Sequence, residues 1–201
     1  MSEGYQAKTS KYSVLEYFQM LALLSLLELP QPVLAEVITG KEVQTGLHTW
    51  EWRESGVSVQ FHQRLPDQTR AFFQGRGFSA RNADSIARAC VFQTIFRNDG
   101  ILPLVYDMDE WQITYQGKRR SLLTREHWDG KWQEGETSQA ALIALRWSLL
   151  PTRQVFEPGD YNWGMTSFGL PSGESFDLSL VLTIGGSVIT GIVPAIICTP
   201  E

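Results

Sequence analysis

Residues 47–62 read Leu47-His-Thr-Trp-Glu-Trp-Arg-Glu54, then Ser55-Gly56, then Val57-Ser-Val-Gln-Phe-His62. Apolar and polar residues alternate on both sides of a Ser-Gly pair, the pattern of two half-buried strands joined by a tight turn. Two registers fit. With only Ser55 and Gly56 in the turn, Trp52 faces Val59 and Trp50 faces Phe61, while Thr49, Glu51, Arg53, Ser58, Gln60 and His62 share the other side. A three-residue loop sets the tryptophans beside Ser58 and Gln60 and mixes apolar with polar on both faces. The two-residue register is expected, because a slip of one residue moves every side chain to the wrong face. His48 then shares the tryptophan face and His62 the opposite one, so the two are not expected to share a ligand.

The pattern continues downstream. Leu65-Pro66-Asp67-Gln68 reads as a turn and Gly75-Arg76-Gly77 as a bend. From Ser79 to Cys90 the spacing of Ala83, Ile86, Ala87 and Cys90 predicts a helix with Ser79 or Asn82 as its N-cap. A strand over Val91–Phe96 ends at the turn signal Asn98-Asp99-Gly100, and a shorter one over Trp111–Tyr115 ends at Gly117. Residues 137–149 are apolar on both faces and lead into Pro151, which reads as a buried central strand. Phe176 to Ile184 alternates cleanly, Gly185-Gly186 turns the chain, and Val188–Ile197 returns as a hairpin partner. Pro194 removes a ladder donor, placing that strand at an edge or bulge. The fold expected is mainly β: an immunoglobulin-like antiparallel β-sandwich with one short crossover helix at about 79–90.

Upstream, an apolar run from Met20 to Leu27 follows Lys8 and Lys11 and precedes Pro30, Pro32 and Val33-Leu34-Ala35. Residues 17–27 fit the apolar core of a signal peptide, and Val33 and Ala35 fit the small positions of its cleavage site. The run is too short to span a bilayer. Glu3, Glu16 and Glu28 are the features that favour an ordinary N-terminal helix instead. The expected organisation is a signal peptide over 1–35 and one domain over 36–201, periplasmic or secreted, meeting a membrane only during export. In an oxidising compartment the only two cysteines, Cys90 and Cys198, are expected to pair.

The whole chain carries 17 basic and 22 acidic residues, a net charge of −5, without the clustered cations of a nucleic-acid binder. That class is excluded. Blue copper needs a cysteine followed closely by a histidine, and neither cysteine has one. There is no Cys-x-x-Cys for dithiol or haem chemistry and no Gly-x-Ser-x-Gly elbow, so no catalytic residue or cofactor is assigned. The acidic stretch Asp107-Met-Asp-Glu110 lacks the glycine and distal glutamate of an EF-hand. His62, His127, Met108 and Met165 are the candidates for weak metal binding, scattered as chance would scatter them. The arginines between 64 and 88 make one segment locally basic, where an anionic partner could dock.

Aromatic usage is the stronger signal. Trp128, Trp132, Tyr161 and Trp163 sit beside Gly, Asp and Glu rather than in apolar runs, as rings of a ligand or partner surface do. The function expected is therefore a non-enzymatic accessory or binding domain acting on another exported protein. A carbohydrate-binding module and a periplasmic copper-trafficking protein are the alternatives.

Overall fold

The computed structural model describes residues 35–132 and 136–201. The export signal expected over residues 1–35 falls, but for Ala35, outside them. The first sheet is built from β1 (Glu36–Lys41), β2 (His48–Glu54), β3 (Val57–Gln63), β4 (Val91–Asn98) and β9 (Tyr161–Ser167), hydrogen-bonded in that order. The hairpin of residues 47–62 adopts the expected register, with Trp52 opposite Val59 and Trp50 opposite Phe61. Ser55 and Gly56 carry φ of 51° and 78°, the left-handed pair that a two-residue hairpin turn requires.

The second sheet holds β5 (Leu104–Asp107), β6 (Gln112–Tyr115), β7 (Lys118–Arg120), β8 (Arg153–Phe156), β10 (Ser175–Ile184) and β11 (Ser187–Ile197). Along one edge β10 pairs with β11, and along the other it is shared between β6 at Asp177–Ser179 and β5 at Leu182–Ile184. Between those two pairings the Trp111 indole N–H donates to the Val181 carbonyl at 3.1 Å, so the break in the ladder leaves no orphan acceptor there. Register slips between Phe176 and Leu178, where Pro194 lies. Ala195 takes a φ of 53° and donates its N–H to Asp177 Oδ1 at 2.9 Å. The proline at that point thus marks the bulge expected of it.

All strand pairs in both sheets are antiparallel, and their inner faces enclose one core: Trp50, Trp52, Phe61, Phe92 and Phe96 against Tyr106, Trp111, Phe156, Leu178, Leu180 and Leu182. Phe96 stacks on Tyr106 with ring centroids 4.5 Å apart. Trp52 packs against the backbone of β11 at Gly191. A Cβ added at Gly191 on β11 would lie 2.6 Å from Trp52 Cε2, so glycine is what lets the backbone approach the ring. Gln63 crosses between sheets, accepting from the His48 N–H and donating to the Ile197 carbonyl, both at 2.8 Å. Immediately after β11, Cys198 is bonded to Cys90, with Cα atoms 5.1 Å apart. The architecture is a mainly β, two-sheet sandwich with a disulfide that fixes its last strand.

Four expectations are corrected. The described residues hold four α-helices rather than one: α1 (Pro66–Gln74), α2 (Ala80–Ala87), α3 (Arg125–Asp129) and α4 (Gln139–Ser148). The residues read as a turn at 65–68 are the start of α1, with Leu65 at the N-cap and Pro66 in the first turn, where a missing N–H costs nothing. The strand expected over 137–149 is α4. Ser138 accepts the Ala141 N–H at 3.2 Å as its N-cap, and Ala141 and Leu145 are the buried stripe. Strand order also departs from the immunoglobulin arrangement of two Greek-key sheets: the first sheet is a β1-β2-β3-β4 meander closed by β9.

Candidate surface on the first sheet

Strand alternation sends one set of side chains from the first sheet into the core and the other set outward. Register places the outward set in rows. One row runs Arg53, Ser58, Arg97, Tyr161; the next runs Ile38, Glu51, Gln60, Ile95, Trp163; a third runs Thr49, His62, Gln93, Met165; a fourth holds Val91 and Ser167. The four helices and their loops cover the last of these rows and the Met165 end of the third. Val91 and Met165 are buried there in a second apolar cluster with Phe73, Phe78, Ile86, Trp128 and Leu145.

In the first two rows Ser58 is buried and Glu51, Gln60 and Ile95 are half-buried, while the β9 end is exposed. Tyr161 and Trp163 are 61% and 63% exposed and, two residues apart on one strand face, stand about 7 Å from each other. Arg97 lies over the Tyr161 ring at 5.2 Å, a cation–π contact that orients both groups. Beside them Arg53, Ser58, Gln60 and Arg97 surround a shallow cleft of about 370 Å³. Burial pushes the Glu51 carboxyl up, but hydrogen bonds from Arg53 and Gln60 outweigh it and hold the group below the usual carboxylate range. Glu51 is thereby neutralised by Arg53, leaving Arg97 as the cation nearest the rings.

The aromatic set read from the sequence therefore divides. Tyr161 and Trp163 share the bare face as expected of surface rings. Trp128 is 1% exposed and donates its indole N–H to Ser167 Oγ at 2.9 Å; it is core, not surface. Trp132 stacks on Trp128 with centroids 6.1 Å apart and meets Phe78 edge-on, so it too packs inward. Their loop-like sequence neighbours hide this, because the apolar contacts come from α1, α2 and β9. Conversely, Trp147 is 83% exposed on α4, on the same helix face as Ile143. Read as a strand, that residue is assigned to the interior; the helical period of Ala141 and Leu145 is the signal that moves it outside.

The metal candidates do not converge. His62 and Met165 share a row but Gln93 stands between them, about 10 Å across two strand spacings. His62 approaches Gln60 Oε1 at 3.3 Å and Glu42 Oε1 at 3.4 Å. Met108 is buried in the main core and His127 lies on α3 against Trp128. Asp107 is engaged by Arg153 and accepts the Asp109 N–H at 3.0 Å, so of the acidic stretch the Asp107 carboxylate is internally occupied. Among the described residues no group of three or more His, Cys, Asp or Glu is placed to hold a metal ion. Nor is any helix among them long and apolar enough to cross a membrane. The chain matches no known protein family, curated protein or solved structure.

Proposed function

We propose that this chain is an exported, non-enzymatic binding domain that engages another exported protein through the bare end of the first sheet's outer face. The observation that carries the reading is the pair Tyr161 and Trp163, each more than half exposed beside Arg97. Large rings are normally withdrawn from water, and a Tyr, Trp and Arg grouping is the composition of interface hot spots. The Cys90–Cys198 bond supports an oxidising compartment. A carbohydrate ligand is the second reading, favoured by the hydrogen-bonding side chains of Gln60 and Glu51 in the same row as Trp163.

The test is capture of extracytoplasmic proteins on the immobilised full chain, compared with the Tyr161→Ala/Trp163→Ala double variant and with Trp147→Ala. A partner retained by wild type and Trp147→Ala but lost by the double variant supports the reading. Retention by all three contradicts it. Tryptophan fluorescence across a glycan panel separates the second reading: a saturable change with a glycan, abolished by Trp163→Ala, makes the ligand a sugar.

A further inference from the structure

At the far end of β4 from Arg97, the segment after β11 closes a cavity of about 290 Å³ lined by Arg64, Arg88, Cys90, Pro171, Ser172 and Thr199, among others. A second hollow of about 270 Å³ shares Pro66, Arg88 and Glu201 with it. The cations here differ in one respect. Arg70 is paired with Asp67 and Asp84, and Arg88 with Asp84 at 2.9 Å. Arg64, directly after β3, forms no ion pair among the described residues, and its buried Nε makes no hydrogen bond. Its guanidinium carbon lies 5.8 Å from the centre of the Phe72 ring.

A second group in the same wall is also unsatisfied: the Thr199 hydroxyl is buried without a hydrogen-bond partner, whereas Ser172 donates to the Thr199 carbonyl at 2.8 Å. Buried polar atoms are nearly always paired, and here the Nε of a half-buried arginine and a buried hydroxyl are not. Two such groups lining one cavity call for an occupant that accepts hydrogen bonds and carries negative charge. We propose that this cavity binds a small oxyanion, a carboxylate or phosphate group, held by Arg64 and the Thr199 hydroxyl with Arg88 at the rim. Burial pulls the Arg64 guanidinium below the usual arginine value. Glu201, 3.7 Å from Arg88, is the resident carboxylate that an incoming anion would displace. The wall depends on the disulfide, since Cys90 lines it and Cys198 precedes Thr199.

The test is NMR titration of the ¹⁵N-labelled full chain with sodium phosphate and, separately, sodium acetate, at ionic strength held constant with sodium chloride. Saturable shifts of the Arg64 Nε–H and Thr199 amide resonances are expected with at least one of the two, and which one identifies the group. Thr199→Val should weaken binding several-fold, and Arg64→Gln about tenfold or more. Absence of saturable shifts with both anions overturns the proposal, and so does unchanged affinity in Thr199→Val and Arg88→Ala, which test it even where Arg64→Gln fails to fold. Cavity binding and face binding are separable: the Tyr161→Ala/Trp163→Ala variant should titrate with phosphate or acetate like wild type.

Discussion

The two ends of the first sheet's outer face are built from the same strands with the same alternation, yet they meet different neighbours. At the Val91 and Met165 end, Phe73, Phe78, Ile86, Trp128 and Leu145 complete a second core. At the Arg97 and Tyr161 end, none of the four described helices roofs Tyr161 and Trp163, which are exposed to solvent. Strand patterning alone does not distinguish a row that will be roofed from one that will not. What distinguishes them is where the connections go: α1 and α2 link β3 to β4, and α3 and α4 lie between β7 and β8. From this difference the rings of the bare end are expected to be dispensable for folding and those of the roofed end are not.

The largest effect should come from removing a ring of the roofed end. Trp128→Ala deletes a fully buried indole and its bond to Ser167, and is expected to cost about 3–5 kcal/mol in urea unfolding. A loss below about 1 kcal/mol would break the contrast. Next comes the covalent tie between the start of β4 and the end of β11. The Cys90–Cys198 bond spans 108 residues, so Cys90→Ser/Cys198→Ser should lose about 2–5 kcal/mol, measured against the oxidised wild type.

Between the sheets, Gly191→Ala sets a methyl group against Trp52 and should cost about 1–3 kcal/mol by overpacking. Wild-type stability in that variant would show that the indole moves aside freely. This residue marks the limit of sequence reading. The hairpin at 47–62, the C-terminal hairpin, the Pro194 bulge and the helix after Ser79 follow from local periodicity and turn chemistry, and all are in place. Gly191 sits in an ordinary strand sequence, and only the opposing Trp52, 139 positions earlier in the chain by their numbers, gives it meaning.

The misread elements have physical causes too. Over 137–149 the apolar residues on both faces satisfy strand and helix periods alike, and the decision lies with the Ser138 cap. At 65–68, proline and aspartate serve a turn or a helix start equally well. Of the site, Tyr161 and Trp163 were legible as rings among polar neighbours. Trp128 and Trp132 were not, because their burial comes from residues remote in sequence. The Arg64 cavity was legible only as local basic charge, since pairing of Arg70 and Arg88 leaves Arg64 alone in three dimensions.

A smaller effect follows from the carboxylates. At Glu51 burial opposes ionisation but Arg53 and Gln60 outweigh it; at Asp84 burial opposes it and Arg70 and Arg88 outweigh it. Both folded values lie below the ordinary 4.5 and 3.8, so on acidification the unfolded chain takes up protons first. Their stabilisation is full above about pH 5 and is lost as pH falls through the folded values. Thermal midpoints should fall a little between pH 7 and 5, where burial and Lys131 hold the His127 imidazole below its ordinary 6.5 so that the unfolded chain protonates first, and more steeply below about 4, with Glu51→Gln flattening part of the second fall. A midpoint independent of pH between 5 and 3 would contradict the pairing.

The most direct measurement is the Tyr161→Ala/Trp163→Ala variant assayed twice, by urea unfolding and by capture of the extracytoplasmic partner. Exposed substitutions away from packed features change stability by roughly 0.5 kcal/mol or less each, so the account predicts near-native stability together with loss of the partner. Unfolding of the variant by several kcal/mol, or capture at the wild-type level, would contradict the claim that the bare end of the sheet is kept for binding.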